Sequence, residues 1–205
     1  AMPMTASDPR RFAPAAARNR DAILDALRRH LPASGLVLEL ASGSGEHAIH
    51  FAAALPGLAF QPSDPLPEAR ASIDAWATET GLPNIRPALA IDATAPGWPV
   101  TAADAVVCIN MIHISPWAAT EGLMRGAAAI LPPGAPLVLY GPYRRGGAHT
   151  APSNAAFDAD LRARDPAWGV RDLEAVAALA AEHGFGPPAV AEMPANNLTV
   201  TFRRA

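Results

Sequence analysis

The sequence predicts a single α/β domain: a mostly parallel, seven-stranded sheet with helices on both faces, finished by a C-terminal antiparallel hairpin. Three observations carry this. Short apolar runs alternate with segments whose apolar residues recur at helical spacing, the pattern of strands linked by helices. The runs are apolar throughout, as expected of strands covered on both faces. The last two runs are joined by Pro194-Ala195-Asn196-Asn197, whose asparagines suit a hairpin turn. A chain of 205 residues is the size of one domain and buries enough surface to fold without staples.

Residues 1 to 15, rich in Pro and Ala, predict a loose arm. Ile23, Leu24, Leu27 and Leu31 mark the first helix, ended by Pro32 and Gly35. Residues 36–40 form the first strand, and a small-residue loop follows at 41–45. Ala48, Phe51, Ala52 and Leu55 line one helix face. Residues 58–61 are the second strand, stopped by Pro62 and Asp64, and 67–80 a helix with Pro at its start. Residues 85–91 are expected as a third strand despite Pro87, 104–110 as a fourth, 117–131 as a helix and 135–140 as a fifth strand. Residues 141–170, rich in Gly, Pro and polar groups, predict a lid-like insertion with a short helix at 154–164. A helix at 172–183, closed by Gly184, precedes the hairpin strands at 189–193 and 198–202.

Composition narrows the chemistry. The formal charge of −3 gives no basic excess for nucleic acid or a membrane surface. All 16 basic residues are arginine, so Walker A, Schiff-base and Tyr-x-x-x-Lys chemistry are excluded. Cys108 is the only cysteine, which excludes an intrachain disulfide and a cysteine-based zinc cluster. No run of about 18 apolar residues and no signal-type segment is present, so a cytoplasmic protein is expected.

Glu39-Leu-Ala41-Ser-Gly43-Ser-Gly45 lies between the first strand and its helix. Glycines there let the backbone approach a ligand, and the helix behind offers unpaired N–H groups. Gly43-x-Gly45-x-x-Ala48 fits a relaxed dinucleotide pattern. Glu39-x-Ala41-x-Gly43-x-Gly45 fits the S-adenosylmethionine (SAM) loop, acidic-x-Gly-x-Gly-x-Gly, with Ala41 for its first glycine. Asp64, 19 residues beyond the loop, suits the ribose hydroxyls of either ligand. Asp92, ending the third expected strand, suits adenine, and the antiparallel hairpin favours SAM.

The runs at 39–47, 110–117, 153–158, 168–172 and 194–197 resemble the methyltransferase-like 26 family, over about residues 17 to 203. The resemblance implies a class I, Rossmann-like, SAM-dependent methyltransferase fold, with SAM as cofactor and S-adenosylhomocysteine as product. The expected cofactor residues are Glu39, Ala41, Gly43, Gly45, Asp64, Asp92 and Asn110, with Arg18 pairing the methionyl carboxylate. His113, three residues after Asn110, is expected at the methyl-transfer rim, as general base or orienting group. Tyr143, Asn154, Asp158, Arg171 and Asn197 are expected to contact the acceptor, with an Asp158–Arg171 pair as the alternative. Asn110-Met-Ile-His lacks the Pro-Pro of amino-type base methylases, so a small or medium-sized acceptor is expected rather than nucleic acid. His47 and His50 read as polar flank residues, and no metal is expected. The alternatives are a non-catalytic SAM-binding or scaffold domain and, less favoured, an NAD-dependent oxidoreductase.

Overall fold

Strands β1 (Gly35–Leu40), β2 (Leu58–Pro62), β3 (Ala105–Ile109), β4 (Pro136–Gly141), β7 (Ala189–Met193) and β8 (Asn197–Arg203) form one sheet. A small pair, β5 (Arg144–Arg145) and β6 (Ala148–His149), stands apart from it. The structure, a computed structural model, describes residues 7–205. The main sheet runs β2-β1-β3-β4-β8-β7. Its first four strands are parallel, and β8 is antiparallel to both β4 and β7. This departs from the dinucleotide-binding order, in which six parallel strands form two matching halves. The chain turns back on itself between β1 and β3, and the carboxyl ends of these strands form the ligand crevice of such sheets.

Among the described residues there are six helices: α1 (Pro14–His30), α2 (Glu46–Ala54), α3 (Pro67–Thr80), α4 (Trp117–Ile130), α5 (Pro152–Arg164) and α6 (Leu173–Glu182). Alternate strand residues face opposite layers. Leu38, Leu40, Val106 and Leu139 pack on Leu123 and Met124 of α4 and Val176 of α6. Val37, Val107 and Val138 pack on Ile23 and Leu27 of α1 and Phe51 of α2. Among the described residues no helix is long and apolar enough to cross a membrane.

The expected seventh strand does not form. Residues 85–91 run beside β2 but join it only through isolated bridges, Phe60 to Ile85 and Ser63 to Leu89. Pro87 and Pro62 both lack an N–H, so the ladder between them cannot close. The Gln61 side chain instead donates to the Pro87 carbonyl at 2.8 Å.

The expected loose arm is also corrected where it is described; residues 1–6 lie outside the described part. Pro14 already starts α1. Before it, the Arg11 N–H donates to Ser72 Oγ at 2.8 Å and the Ala13 N–H to Glu46 Oε2 at 2.7 Å. Phe12 packs edge-on against Trp76, ring centroids 5.2 Å apart. The final turn is tighter than a plain hairpin loop, a 3-10 turn with Ala195 and Asn196 both at left-handed φ near 60°.

Candidate functional site

The loop after β1 is built from left-handed backbone. Ala41 (φ 53°), Gly43 (φ 59°) and Gly45 (φ 92°) all lie in the region glycine favours. Ala41 carries a side chain there, at a cost of roughly 1–2 kcal/mol. Gly45 caps α2 and passes so close to α3 that an added Cβ would sit 2.8 Å from Ile73 Cα. Ser42 and Ser63 lock the loop to β2: the Ser42 N–H donates to the Ser63 carbonyl, and the Ser63 N–H to Ser42 Oγ.

Asp64 has a second duty that its position in the sequence did not reveal. Its carboxylate accepts from the Gly43 N–H and the Leu66 N–H, each at 3.0 Å. It therefore holds the glycine loop in shape as well as lining a cavity of about 430 Å3 beside Leu40, Ala41, Asp92, Met111 and Ile114. Asp92 is exposed on this cavity, where it accepts from the Thr94 N–H and hydroxyl at 2.9 and 2.7 Å. Met111 and Ile114 were missed as lining residues, although they fall inside the 110–117 run.

Glu39 stands behind the loop with 4% of its surface exposed. Its Oε1 has no hydrogen-bond partner among the described residues. Burial without a cation pushes its carboxyl up to about 7.

Asn110 turns the chain at the end of β3 with φ 63°, and its N–H donates to the Tyr140 carbonyl at 2.8 Å. His113 follows, fully buried. Its Nδ1 accepts from the Arg171 N–H at 3.0 Å, so the neutral ring carries its proton on Nε2. Burial, reinforced by the Arg171 cation, pushes the ring down to about 3. The lone pair that a general base would use is thus engaged by the Arg171 backbone. What remains is an Nε2–H donor with no partner among the described residues.

The residues expected at the acceptor mostly hold the roof together. Tyr143 is buried against His113, ring centroids 4.9 Å apart, within the layer shared with α4 and α6. Arg171 spends its guanidinium on the carbonyls of Ile112, Ser115 and Ala167, over the face of Trp117. Asp158 binds the Val170 N–H, Arg162 and His149, so the alternative Asp158–Arg171 pair does not form. Asn154 donates to the Asn196 carbonyl at 3.1 Å, tying α5 to the final turn. In each case the polar group satisfies nearby backbone or charges.

Arg18 does not join Asp64 and Asp92. It lines a separate cavity of about 250 Å3 with Asn19, Tyr140, Ala195 and Asn197. The Asn197 side chain also donates to the Pro194 carbonyl at 3.2 Å. Tyr140 was not foreseen, since an apolar strand end gives no sign of which side chain borders a cavity. His47 lies 2.7 Å from Asn19 Oδ1 and is pushed down to about 4 by burial, while His50 stands 2.8 Å from Asp21.

A family model described as a protein of unknown function, DUF938, matches residues 10–204. Among solved structures, the mitomycin 7-O-methyltransferase MmcR aligns with a TM-score of 0.80 at 17% identity, over 93% of this chain and 54% of that one. Human N-acetylserotonin methyltransferase, solved with SAM, aligns at 0.76 and 15% identity, over 93% and 53%. The SAM-dependent methyltransferase SibL aligns at 0.76 and 20% identity, over 92% and 55%. The chain thus spans about half the length of these proteins. At these identities the likeness is one of fold: the class I SAM-dependent methyltransferase architecture, parallel strands closed by an antiparallel C-terminal pair.

Proposed function

The chain belongs to the DUF938 family of proteins of unknown function, and we propose that it is a SAM-dependent methyltransferase for a small or medium-sized acceptor. The finer kinship with the methyltransferase-like 26 family is part of this proposal, as are a cytoplasmic location and the lack of a nucleic-acid or membrane partner. The observation that carries it is Glu39, a buried carboxyl behind a glycine loop with an oxygen that nothing satisfies. A cation stabilises the ionised form of such a group, and the aminoacyl end of SAM presents an ammonium.

The donor set fits the rest of the cofactor. Each Asp64 oxygen accepts one backbone hydrogen bond and keeps a lone pair, enough for two ribose hydroxyls. Asp92, Met111 and Ile114 offer an acidic edge and apolar walls to adenine. Gly43, Gly45 and Ala41 bring backbone close to the ligand, and Asn110 borders the carboxyl end of β3. When bound, SAM supplies an electrophilic methyl group for in-line displacement by the acceptor. The chain's own part is alignment and exclusion of water. Arg171 fixes the His113 loop through three carbonyls, and the His113 Nε2–H is a donor for orienting the acceptor.

Calorimetry with SAM and S-adenosylhomocysteine tests this. Micromolar binding of both is expected; no binding at millimolar concentration by folded protein overturns the proposal. The engaged lone pair of His113 supports a second reading, a non-catalytic SAM-binding or scaffold domain. Product formation from any acceptor panel excludes it. The nicotinamide alternative loses support from the antiparallel β7–β8 pair.

A further inference from the structure

Residues 8–13 run along α3 and end on two side chains that also grip the glycine loop. The Arg11 N–H donates to Ser72 Oγ at 2.8 Å, and the Ser72 hydroxyl donates onward to the Ser44 carbonyl at 2.6 Å. The Ala13 N–H donates to Glu46 Oε2 at 2.7 Å, and the same oxygen accepts from the Ser44 hydroxyl at 2.8 Å. Ser44 lies between Gly43 and Gly45, both at left-handed φ. The two paths therefore converge on one loop residue, one at its carbonyl and one at its hydroxyl.

A hydroxyl that accepts a hydrogen bond becomes a stronger donor. Ser72 is fully buried, so the Arg11 N–H rather than water supplies that bond. Docking the arm thus tightens the hold on the Ser44 carbonyl, and freeing it loosens that hold. The arm itself is held lightly. Its other ties are the Trp76 Nε1–H to the Arg11 carbonyl at 3.0 Å, the edge-on contact of Phe12 with Trp76, and the Arg10 guanidinium 5.1 Å over the Trp76 ring. Phe12 keeps 67% of its surface exposed. A segment with so little buried surface opens at low free energy. A ligand that needs the loop in one shape can therefore shift the docking of the arm.

We propose that residues 8–13 are a strap that sets the shape of the glycine loop through Ser72 and Glu46, both positioning residues, so that arm docking and cofactor binding strengthen each other. The inference rests on the methyltransferase reading for the identity of the cofactor; the coupling between arm and loop does not. Asp64 holds the loop at Gly43, and the strap holds it at the next residue.

The test compares Arg11→Pro, which removes the N–H that reaches Ser72, with Arg11→Ala, which keeps it. The Arg11 side chain is exposed, so the two variants isolate the backbone donor. In calorimetry on the full chain, S-adenosylhomocysteine should bind Arg11→Pro about threefold to tenfold more weakly than wild type, the worth of one backbone hydrogen bond, and Arg11→Ala should restore the affinity. Trp76→Phe, which removes the indole donor to the Arg11 carbonyl, should act in the same direction. Adding Arg11→Pro to Ser72→Ala should cost nothing further, because both act through one hydroxyl. Glu46→Gln keeps an oxygen for Ala13 and Ser44 and should bind more tightly than Glu46→Ala. Coupling is reciprocal, so saturating S-adenosylhomocysteine should slow tryptic cleavage at Arg10 and Arg11 of the wild type at least about threefold. Hydrogen exchange across residues 42–46 reads the loop without any ligand and should quicken in Arg11→Pro. The proposal is overturned by binding that ignores Arg11→Pro, by an equal loss in Arg11→Ala, or by unchanged exchange across 42–46. A wild type that binds neither SAM nor its product, while loop exchange responds to Arg11→Pro as expected, upholds the strap and removes the methyltransferase reading alone.

Discussion

Replacing Glu39 with Gln should make the ligand-free protein more stable at pH 8 while weakening its cofactor binding. The carboxyl has an ordinary value of 4.5 and is pushed up to about 7 by burial. Between those values the folded protein holds a proton that the unfolded chain has released, so stability falls as pH rises through this window. The full gap corresponds to about 3 kcal/mol, reached above pH 7. Glutamine keeps the shape and never ionises, so it escapes that loss. For a chain of this size, about 3 kcal/mol moves the melting temperature by roughly 6–12 °C. His113 acts in the opposite sense: pushed down to about 3, it stabilises fully above its unfolded value of 6.5 and loses that contribution as pH falls. The difference between variant and wild type cancels the histidines and isolates Glu39. Thermal unfolding of both proteins at pH 5, 6, 7 and 8 without ligand measures it. A difference that does not grow between pH 5 and pH 7 refutes the burial argument. Millimolar SAM should reverse the ranking, because its ammonium restores the Glu39 carboxylate.

Asp64→Ala should weaken SAM by about 1.5–3 kcal/mol in calorimetry, and it should also lower stability by about 1–3 kcal/mol in urea unfolding, since the Gly43 and Leu66 N–H groups lose their acceptor. Ser72→Ala removes a fully buried hydroxyl that donates to the Ser44 carbonyl and accepts from the Arg11 N–H; faster tryptic cleavage at Arg10 and Arg11 is expected, and an unchanged rate would mean the arm is held elsewhere. His113→Ala should leave SAM affinity within about threefold. Once an acceptor is found, the wild-type pH–rate profile should follow that acceptor's own ionisation. A limb near pH 6.5 that vanishes in His113→Ala would restore the base.

Local signals made the frame legible. The short apolar runs at 36–40, 58–61, 104–110 and 135–140 became β1 to β4 because their residues pack on both faces. Glycines 43 and 45 were readable because only their backbone freedom explains them at a strand–helix junction. The strand at 85–91 misled because apolarity was weighed above Pro87, and a missing N–H is a geometric loss that apolar neighbours cannot replace. The partners of the roof residues were illegible for a different reason. Arg171 finds its carbonyl partners 59 and 56 residues away, and nothing in a sequence distinguishes a guanidinium that binds substrate from one that binds a distant backbone. Glu39 shows the converse, since its place in the motif was legible and its unsatisfied oxygen was not.

The polar runs around His113 hold its ring with Nδ1 engaged and Nε2 unpartnered among the described residues. Arg171 supplies both halves of that construction: its side chain pins the Ile112 and Ser115 carbonyls, and its own N–H occupies His113 Nδ1. The Gly169 N–H fixes the His113 carbonyl at 2.9 Å, and Tyr143 packs edge-on against the ring. Gly141 keeps the remaining side clear, since a Cβ there would lie 2.8 Å from His113 Nε2 and 3.0 Å from Asn110 Oδ1. A donor N–H and an amide oxygen thus face the bare Cα of Gly141, with less room between them than a methyl group needs. A group that draws on the ring must displace this packing to reach the N–H. What it then meets is a donor whose other nitrogen is already engaged, so the ring offers alignment before it offers proton removal.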